Sequence, residues 1–178
     1  YVLWALVFIM PLSILAPFHS VGRLGMGLSC VGASLWLLRY DVVKINLRKE
    51  GLIRYSGIAL LIGYFFLALC GIFLLVGDQT LPYTYDIIVH VFFLGFTFCM
   101  IFAHGPIILP GVLGSAVRPY HPVLYFWLAG LVVSVLIRLV ADGFYLQNLR
   151  HISGLVSLVS ILGFFPTLGI LIRTKPHS

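Results

Sequence analysis

The sequence carries very little charge. Only 9% of its 178 residues are Asp, Glu, Lys or Arg, and five of these are acidic, whereas 61% of the residues are hydrophobic. A soluble domain of this length has too little interior to bury that much apolar surface. The composition therefore excludes a soluble globular protein and predicts an integral membrane protein whose main contact is the lipid bilayer.

The sequence also lacks the motifs on which most catalytic and metal sites depend. Its three cysteines, Cys30, Cys70 and Cys99, lie inside apolar runs and have no CxxC spacing, which predicts buried, inert thiols. We find no nucleophile–base pair, no phosphate-binding loop and no zinc-protease helix. We therefore expect an electron-transfer or accessory subunit rather than a catalytic one.

Long apolar runs are what the sequence does contain. Several approach the roughly 20 residues that a helix needs to cross a bilayer core. They predict an all-α bundle of about six transmembrane helices in a single domain over residues 1–178, at 1–18, 20–40, 56–76, 86–109, 122–140 and 152–172. Because the chain begins at Tyr1 rather than Met, we expect this domain to be part of a longer chain.

Basic residues are distributed unevenly between the two ends of such a bundle. If the spans alternate in direction, most Lys and Arg residues fall at one end: Arg39, Lys44, Arg48, Lys49, Arg54, Arg118, Arg173 and Lys175. Lys and Arg accumulate in cytoplasmic loops, so this end and both termini are predicted to be cytoplasmic, in a bacterial inner membrane. The same bias accounts for the net charge of +6 without a nucleic-acid partner.

Two histidines lie inside the predicted fourth span. His90 and His104 are 14 residues apart, which is close to four α-helical turns, so both imidazoles are expected on one face and about 21 Å apart along the axis. Ionisable side chains inside a membrane are costly and mark functional sites by default. Their pattern predicts ligands for haem or for a metal ion, at two depths of the membrane.

The other histidines suggest ligand pairs at each depth. Bis-imidazole ligation of haem b needs two imidazoles at one depth on facing helices. His90 and His151 meet that requirement at the outer face, with His19 as a substitute ligand, and His104 with His121 forms a weaker inner pair. The outer trio of His19, His90 and His151 is an alternative site for copper or zinc, because imidazole suits both metals.

Structural roles compete with each of these interpretations. His19, His121 and His151 lie near membrane interfaces, where polar side chains commonly cap helices or contact headgroups. His104 precedes Pro106, which lacks a backbone N–H, so the imidazole could satisfy a carbonyl freed by the proline. Arg138 lies four residues before Asp142, a spacing that fits an ion pair on one helix face, and Arg138 is alternatively a partner for haem propionates.

Several stretches resemble the NnrS family of polytopic membrane proteins. They are RKEGLIRYSGIALLIGYFFLALCGIFLL, HVFFLGFTFCMIFAHGPIILPGVLGSAVRPYHP, LVVSVLIRLVAD and LGILIRTKP, which together correspond to the C-terminal half of that family. His90, Met100 and Arg138 match family positions, and Gly114, Arg118 and Pro119 match its G-x-x-x-R-P run. Ser115 stands where the family pattern has a histidine.

The resemblance implies a role in nitric oxide metabolism and denitrification, with bound haem and copper. Arg118 and Arg138 join the cofactor-binding candidates on this basis. We expect one or two b-type haems that pass electrons between the quinone pool and a periplasmic or membrane redox partner, with quinol as a candidate donor. The alternative is a cofactor-free membrane anchor or scaffold subunit of a larger respiratory or photosynthetic complex.

Overall fold

The protein is all-helical over the residues that the structure, a computed structural model, describes: 1–15, 21–78, 80–115 and 117–174. The α-helices are α1 Val2–Leu15, α2 Arg23–Tyr40, α3 Val43–Asn46, α4 Gly51–Val76, α5 Thr84–His90, α6 Phe98–Val112, α7 Val123–Gly143 and α8 Gln147–Thr174. A π-helix, Val91–Thr97, joins α5 to α6. The all-α class predicted from the apolar runs is confirmed.

Four helices are long and apolar enough to cross a membrane. They are Gly51–Val76, the continuous segment Thr84–Val112, Val123–Gly143 and Gln147–Thr174. These helices overlap the third to sixth predicted spans. Within the first predicted span, the apolar helix Val2–Ser13 is shorter than a full crossing.

Contacts between helices show that the spanning segments alternate in direction. The Ser56 hydroxyl, near the start of α4, donates to the Ala103 carbonyl in the second half of the continuous helix Thr84–Val112. A side chain at Gly105 of α6 would contact Leu168, near the end of α8. The start of α4 and the ends of α6 and α8 therefore lie at one end of the bundle. We call it the basic end, because the positive residues of 39–54 and Arg173 lie there. The opposite end, which carries Asp78, Asp86 and Asp142, is called the acidic end.

Helices α2 and α4 approach each other closely where glycines face each other. A Cβ built on Gly71 would lie 2.7 Å from the Gly27 carbonyl oxygen, which leaves no room for a side chain. The Ser34 hydroxyl donates to the Tyr64 carbonyl in the same antiparallel interface. Small residues let membrane helices pack at short range, where van der Waals contact and hydrogen bonds replace the missing hydrophobic drive. Cys30 and Cys70 are buried here, as the sequence predicted.

The π-helix changes the register between the two histidines of the long helix. The expectation that His90 and His104 share a face assumed 3.6 residues per turn throughout. In a π-helix residue i is hydrogen-bonded to residue i+5, so each turn contains more residues than in an α-helix. The seven π-helical residues therefore rotate about the helix axis by roughly a third of a turn less than seven α-helical residues would. Over this segment the single-face prediction is therefore wrong, and the two imidazoles meet different surroundings.

Candidate functional site at the acidic end

A cluster of charged side chains joins α5, α7 and α8 at the acidic end. Its members are Asp86 from the first turn of α5, Arg138 and Asp142 from the last part of α7, and Arg150 from the first turn of α8. Two carboxylates face two guanidinium groups, so the four side chains balance in charge. Charged groups at membrane-spanning segments that pair with each other in this way offset the cost of leaving water.

Arg138 is the centre of this charge cluster. Its Nη2 and Nε donate to Asp86 Oδ2 over 2.6 and 3.0 Å, and Nε also lies 3.1 Å from Asp142 Oδ2. Its Nη1 donates to the Arg150 carbonyl over 3.4 Å. All three guanidinium nitrogens of Arg138 are therefore engaged within the protein.

Asp142 is the most buried member, with a side chain that is 0% exposed. Its Oδ1 lies 3.1 Å from Arg150 Nε, close enough for an ion pair. The same oxygen has no aligned hydrogen-bond donor in the described part of the chain. We attribute the difference to angle: Arg150 supplies charge to Oδ1 but does not point an N–H bond at it, whereas Arg138 donates to Oδ2.

The turn between α7 and α8 brings Arg150 to this position. Tyr145 adopts a left-handed conformation with φ of 58°, and the Leu146 N–H donates back to the Ala141 carbonyl over 2.8 Å. This closes α7 and starts α8 after a few residues. The guanidinium of Arg150 then lies over the Tyr83 ring, 3.8 Å from its centroid, which adds a cation–π contact.

His90 borders the cluster, and among the described residues its second ring nitrogen, Nε2, has no hydrogen-bond partner. Its Nδ1 lies 2.8 Å from the Asp86 carbonyl oxygen and 3.5 Å from Asp86 Oδ1. A carbonyl can only accept a hydrogen bond, so we assign the proton to Nδ1, and Nε2 of the neutral ring carries the lone pair. Metal-binding and haem-binding imidazoles are oriented in this way by their second nitrogen.

The other predicted outer ligands are placed differently. His151 is exposed on α8, one residue after the charge cluster's Arg150, and no hydrogen bond or ion pair joins it to His90 among the described residues. His19 lies outside the described residues. At the level of His90, Asp86 and Arg150 form an ion pair between α5 and α8. The pairing of His90 with His151 stays a prediction.

The inner candidates lie at the basic end. His104 is exposed and its Nδ1 lies 2.8 Å from the Met100 carbonyl, so its Nε2 is also left with the lone pair. The carbonyl that Pro106 frees belongs to Phe102, four residues back. His104 contacts the Met100 carbonyl instead, so it does not satisfy the carbonyl freed by the proline. Gly114, with φ of 66°, ends α6 before the exposed Arg118.

His121 has the opposite tautomer from these two histidines. It precedes α7, and its Nδ1 accepts the Val123 backbone N–H over 3.2 Å. This is a helix-capping bond, as the interfacial interpretation predicted. The proton of the neutral ring is then on Nε2, which leaves neither nitrogen ready as a ligand.

The residues fit a haem only in part. The imidazoles of His90 and His104 each present an available Nε2, as axial ligation requires. Arg138 does not fit a propionate partner, because its guanidinium is already engaged with Asp86 and Asp142. Within the described ranges, no three or more His, Cys, Asp or Glu side chains are grouped to hold a metal ion.

The helices and this charge cluster define a helical protein with membrane-spanning segments and an internal ion network. The chain belongs to the family described as a domain of unknown function, DUF8744, whose model matches residues 1–172. Comparisons with curated proteins and with solved structures found no significant match.

The sequence signals for the charge cluster were incomplete. The spacing of Arg138 and Asp142 predicted their ion pair, which the structure confirms. The sequence placed Arg150 at the same end of the bundle, but the ion pairs of Asp86 and Arg150 were missed, since they depend on how α5 and α8 pack against α7. Asp86 begins an apolar helix and Arg150 lies beside a predicted span, and charges in such positions are the signal that could have identified them.

Proposed function

We propose that the protein is a membrane-embedded redox protein that binds haem b, with His90 as one axial ligand. The observation that supports this most is the imidazole geometry: Nδ1 of His90 is held by the Asp86 carbonyl, and Nε2 is left to bind iron. The haem would supply a one-electron carrier. The residues of this chain would fix the imidazole and keep the surrounding charge balanced.

In this proposal electrons pass between the quinone pool and a periplasmic or membrane partner. The resemblance to NnrS proteins supports a setting in nitric oxide metabolism, with copper as a further candidate metal at His19, His90 and His151. His104 offers a second imidazole at the inner depth. Cytochrome-type electron transfer needs little acid–base machinery, and a chain with five acidic residues suits that role.

The proposed topology has six spans with both termini cytoplasmic. Helix α2 lies antiparallel along α4, with the Ser34–Tyr64 hydrogen bond at one level and the Gly27–Gly71 contact at another. This packing along a spanning helix supports a location of α2 within the membrane. The concentration of Lys and Arg at the basic end supports a cytoplasmic location for that end, in a bacterial inner membrane.

A second candidate function is a cofactor-free anchor or scaffold subunit of a larger membrane complex. The ion network favours it, because Arg138 is engaged by Asp86, Asp142 and the Arg150 carbonyl rather than left for a cofactor. In this role the charged side chains would fix the relative position of α5, α7 and α8. Partner subunits would then bind the outer faces of the bundle.

A visible spectrum separates the two candidates. The protein would be purified from membranes in mild detergent and assayed by pyridine haemochrome, with metal analysis on the same sample. The redox proposal predicts a Soret band and at least one haem b per chain. Protein without haem, copper or zinc, from cells that supply haem to a control cytochrome, contradicts the redox proposal and favours the scaffold.

A further inference from the structure

The connection between α2 and α4 carries four exposed basic side chains at the basic end of the bundle. Lys44 lies on α3, Arg48 and Lys49 follow α3 directly, and Arg54 lies in the first turn of α4. The ion pairs found among the described residues all lie at the acidic end, so none of them engages these four cations. We call residues 41–54 the basic segment.

The acidic side chains of the basic segment do not neutralise it. Asp41 is turned toward the protein, where one carboxylate oxygen accepts a hydrogen bond from the Tyr64 hydroxyl and the other accepts one from the Val42 backbone N–H. Glu50 is the remaining acidic residue of the segment, and it is exposed. Four exposed cations against one exposed carboxylate leave a surplus of positive charge on this surface.

The packing of α3 holds the basic segment near the surface of the membrane. A Cβ added at Gly57 of α4 would lie 2.9 Å from the Asn46 Cβ and 3.3 Å from the Leu47 backbone nitrogen, so α3 lies directly against α4 at this level. Gly57 is about 9 Å along the axis from Gly51, where α4 begins. Helix α4 has 26 residues, a length of about 39 Å, and its ends therefore extend beyond a bilayer core of about 30 Å. This places α3 close to the boundary between the acyl chains and the headgroups.

The side chains of α3 and its flanking residues combine apolar and basic exposed surface. Val43 is 3% exposed and packs into the bundle, whereas Val42 and Ile45 are 54% and 60% exposed. The exposed Lys44 and Arg48 stand in the same short stretch. Apolar side chains that enter the acyl layer, beside Lys and Arg heads that reach the headgroups, are typical of an interfacial amphipathic segment. The complementary partner has an apolar body and a negatively charged head.

We infer that the basic segment binds anionic phospholipid, with Lys44, Arg48 and Lys49 around the headgroup phosphate and the acyl chains against Val42 and Ile45. Phosphatidylglycerol keeps the negative charge of its phosphate, whereas the cationic amine of phosphatidylcholine cancels it. Each Lys or Arg close to an anionic membrane surface contributes roughly fivefold to binding. This interaction goes beyond the redox and scaffold functions considered above, and it does not depend on haem.

The test measures lipid preference next to α3. A bimane label on Ile45→Cys, in nanodiscs that mix phosphatidylcholine and phosphatidylglycerol, is quenched by whichever of the two lipids carries brominated acyl chains. The native cysteines are buried and stay unlabelled. We expect phosphatidylglycerol to bind beside the label about fivefold or more tightly than phosphatidylcholine. The same label on Phe144→Cys, which is exposed at the acidic end, is the matched control and should show no such preference.

Charge variants of the labelled protein test which side chains are responsible. Lys44→Gln/Arg48→Gln/Lys49→Gln should lower the preference by about fivefold or more, whereas the charge-conserving Lys44→Arg/Arg48→Lys/Lys49→Arg should retain it. Circular dichroism verifies that both remain folded. If the triple glutamine variant does not fold, the single variants Lys44→Gln and Lys49→Gln should each lower the preference part of the way.

Three results would overturn the inference directly. They are equal binding of the two lipids beside Ile45→Cys, a preference that survives removal of the three charges in folded protein, and the same preference beside Phe144→Cys. Inorganic phosphate, added at constant ionic strength, distinguishes a lipid headgroup from a free anion. Loss of the phosphatidylglycerol preference on this addition would assign the basic segment to soluble phosphate and would also contradict the inference.

Discussion

Arg138 and Asp86 are 52 residues apart in sequence, yet Nη2 and Nε of the arginine both donate to Oδ2 of the aspartate. Arg138 also holds the fully buried Asp142 carboxylate on its own helix. One guanidinium thus links α5 to α7 and, through the Arg150 carbonyl, to α8. The ion pairs of Arg150 with Asp86 and Asp142 join the same three helices, so the two arginines together hold the acidic end.

Removal of one partner from this network should destabilise the protein strongly. Arg138→Gln leaves Asp86 and Asp142 with less compensating charge, and we expect a loss of about 3–5 kcal/mol in the free energy of unfolding. The double variant Asp86→Asn/Arg138→Gln should lose less than the sum of the two single variants, by about 1–3 kcal/mol. Unfolding in detergent micelles measures all three.

Arg118→Gln serves as the control for this cycle, because Arg118 is exposed at the basic end and takes no part in the charge cluster. It should change stability by less than about 0.5 kcal/mol. Additive effects of Asp86→Asn and Arg138→Gln would show that the two side chains are not coupled, contrary to the contacts described above.

The contact between α2 and α4 should be intolerant of a side chain at Gly71. A Cβ there would lie 2.7 Å from the Gly27 carbonyl oxygen, so Gly71→Ala forces the helices apart and should cost about 1–3 kcal/mol. Gly154→Ala is the matched control, since nothing lies within 4 Å of its added Cβ. The control should be neutral or stabilising by up to about 1 kcal/mol, because alanine favours helix more than glycine. Equal effects of both substitutions on thermal unfolding would contradict this helix contact.

The turn after α7 carries backbone strain at Tyr145. Its φ of 58° costs a side-chain-bearing residue about 1–2 kcal/mol, and glycine escapes that cost. Tyr145→Gly should therefore retain or increase stability, even though the contact with the Tyr83 ring is lost. Tyr145→Val, which places a branched side chain in the same conformation, should be less stable than Tyr145→Gly by more than about 1 kcal/mol. The reverse order in thermal unfolding would contradict a left-handed Tyr145.

Cysteine labelling tests the proposed topology. Lys44→Cys reports on the basic end and Thr80→Cys on the acidic end, and the native cysteines are buried and should remain unreactive. A membrane-impermeant maleimide added to intact spheroplasts should label Thr80→Cys, whereas Lys44→Cys should react only after the membrane is opened. Labelling of both positions from the same side would contradict an odd number of crossings between them.

The sequence was sufficient for the helical class because apolar runs longer than a bilayer core leave few alternatives. It was also sufficient for the Arg138–Asp142 pair, since a spacing of four residues fixes neighbours on one helix. It did not reveal the π-helix, which shifts the register between His90 and His104 without an obvious composition signal. Nor did it predict the ion pairs that Asp86 and Arg150 make with Arg138 and Asp142 of α7, because contacts between distant helices depend on packing rather than on spacing.

The tautomers of the histidines likewise could not be predicted from the sequence. His104 and His121 are both near the basic end, and spacing alone treated them as a pair. Their Nδ1 atoms contact a carbonyl in one case and a backbone N–H in the other, which gives the two rings opposite protonation patterns. His104 retains an Nε2 lone pair whereas His121 does not, and this difference decides which of the two remains a ligand candidate.

The most direct test of the central claim is the visible absorption spectrum of His90→Ala compared with that of the wild-type protein. The account predicts that wild-type protein shows a haem b Soret band, that His90→Ala loses it while remaining folded by circular dichroism, and that the capping-residue variant His121→Ala keeps it. His151→Ala, measured in parallel, reports whether His151 is the second axial ligand. A wild-type protein without haem, or a Soret band of unchanged position and intensity in folded His90→Ala, would contradict the account.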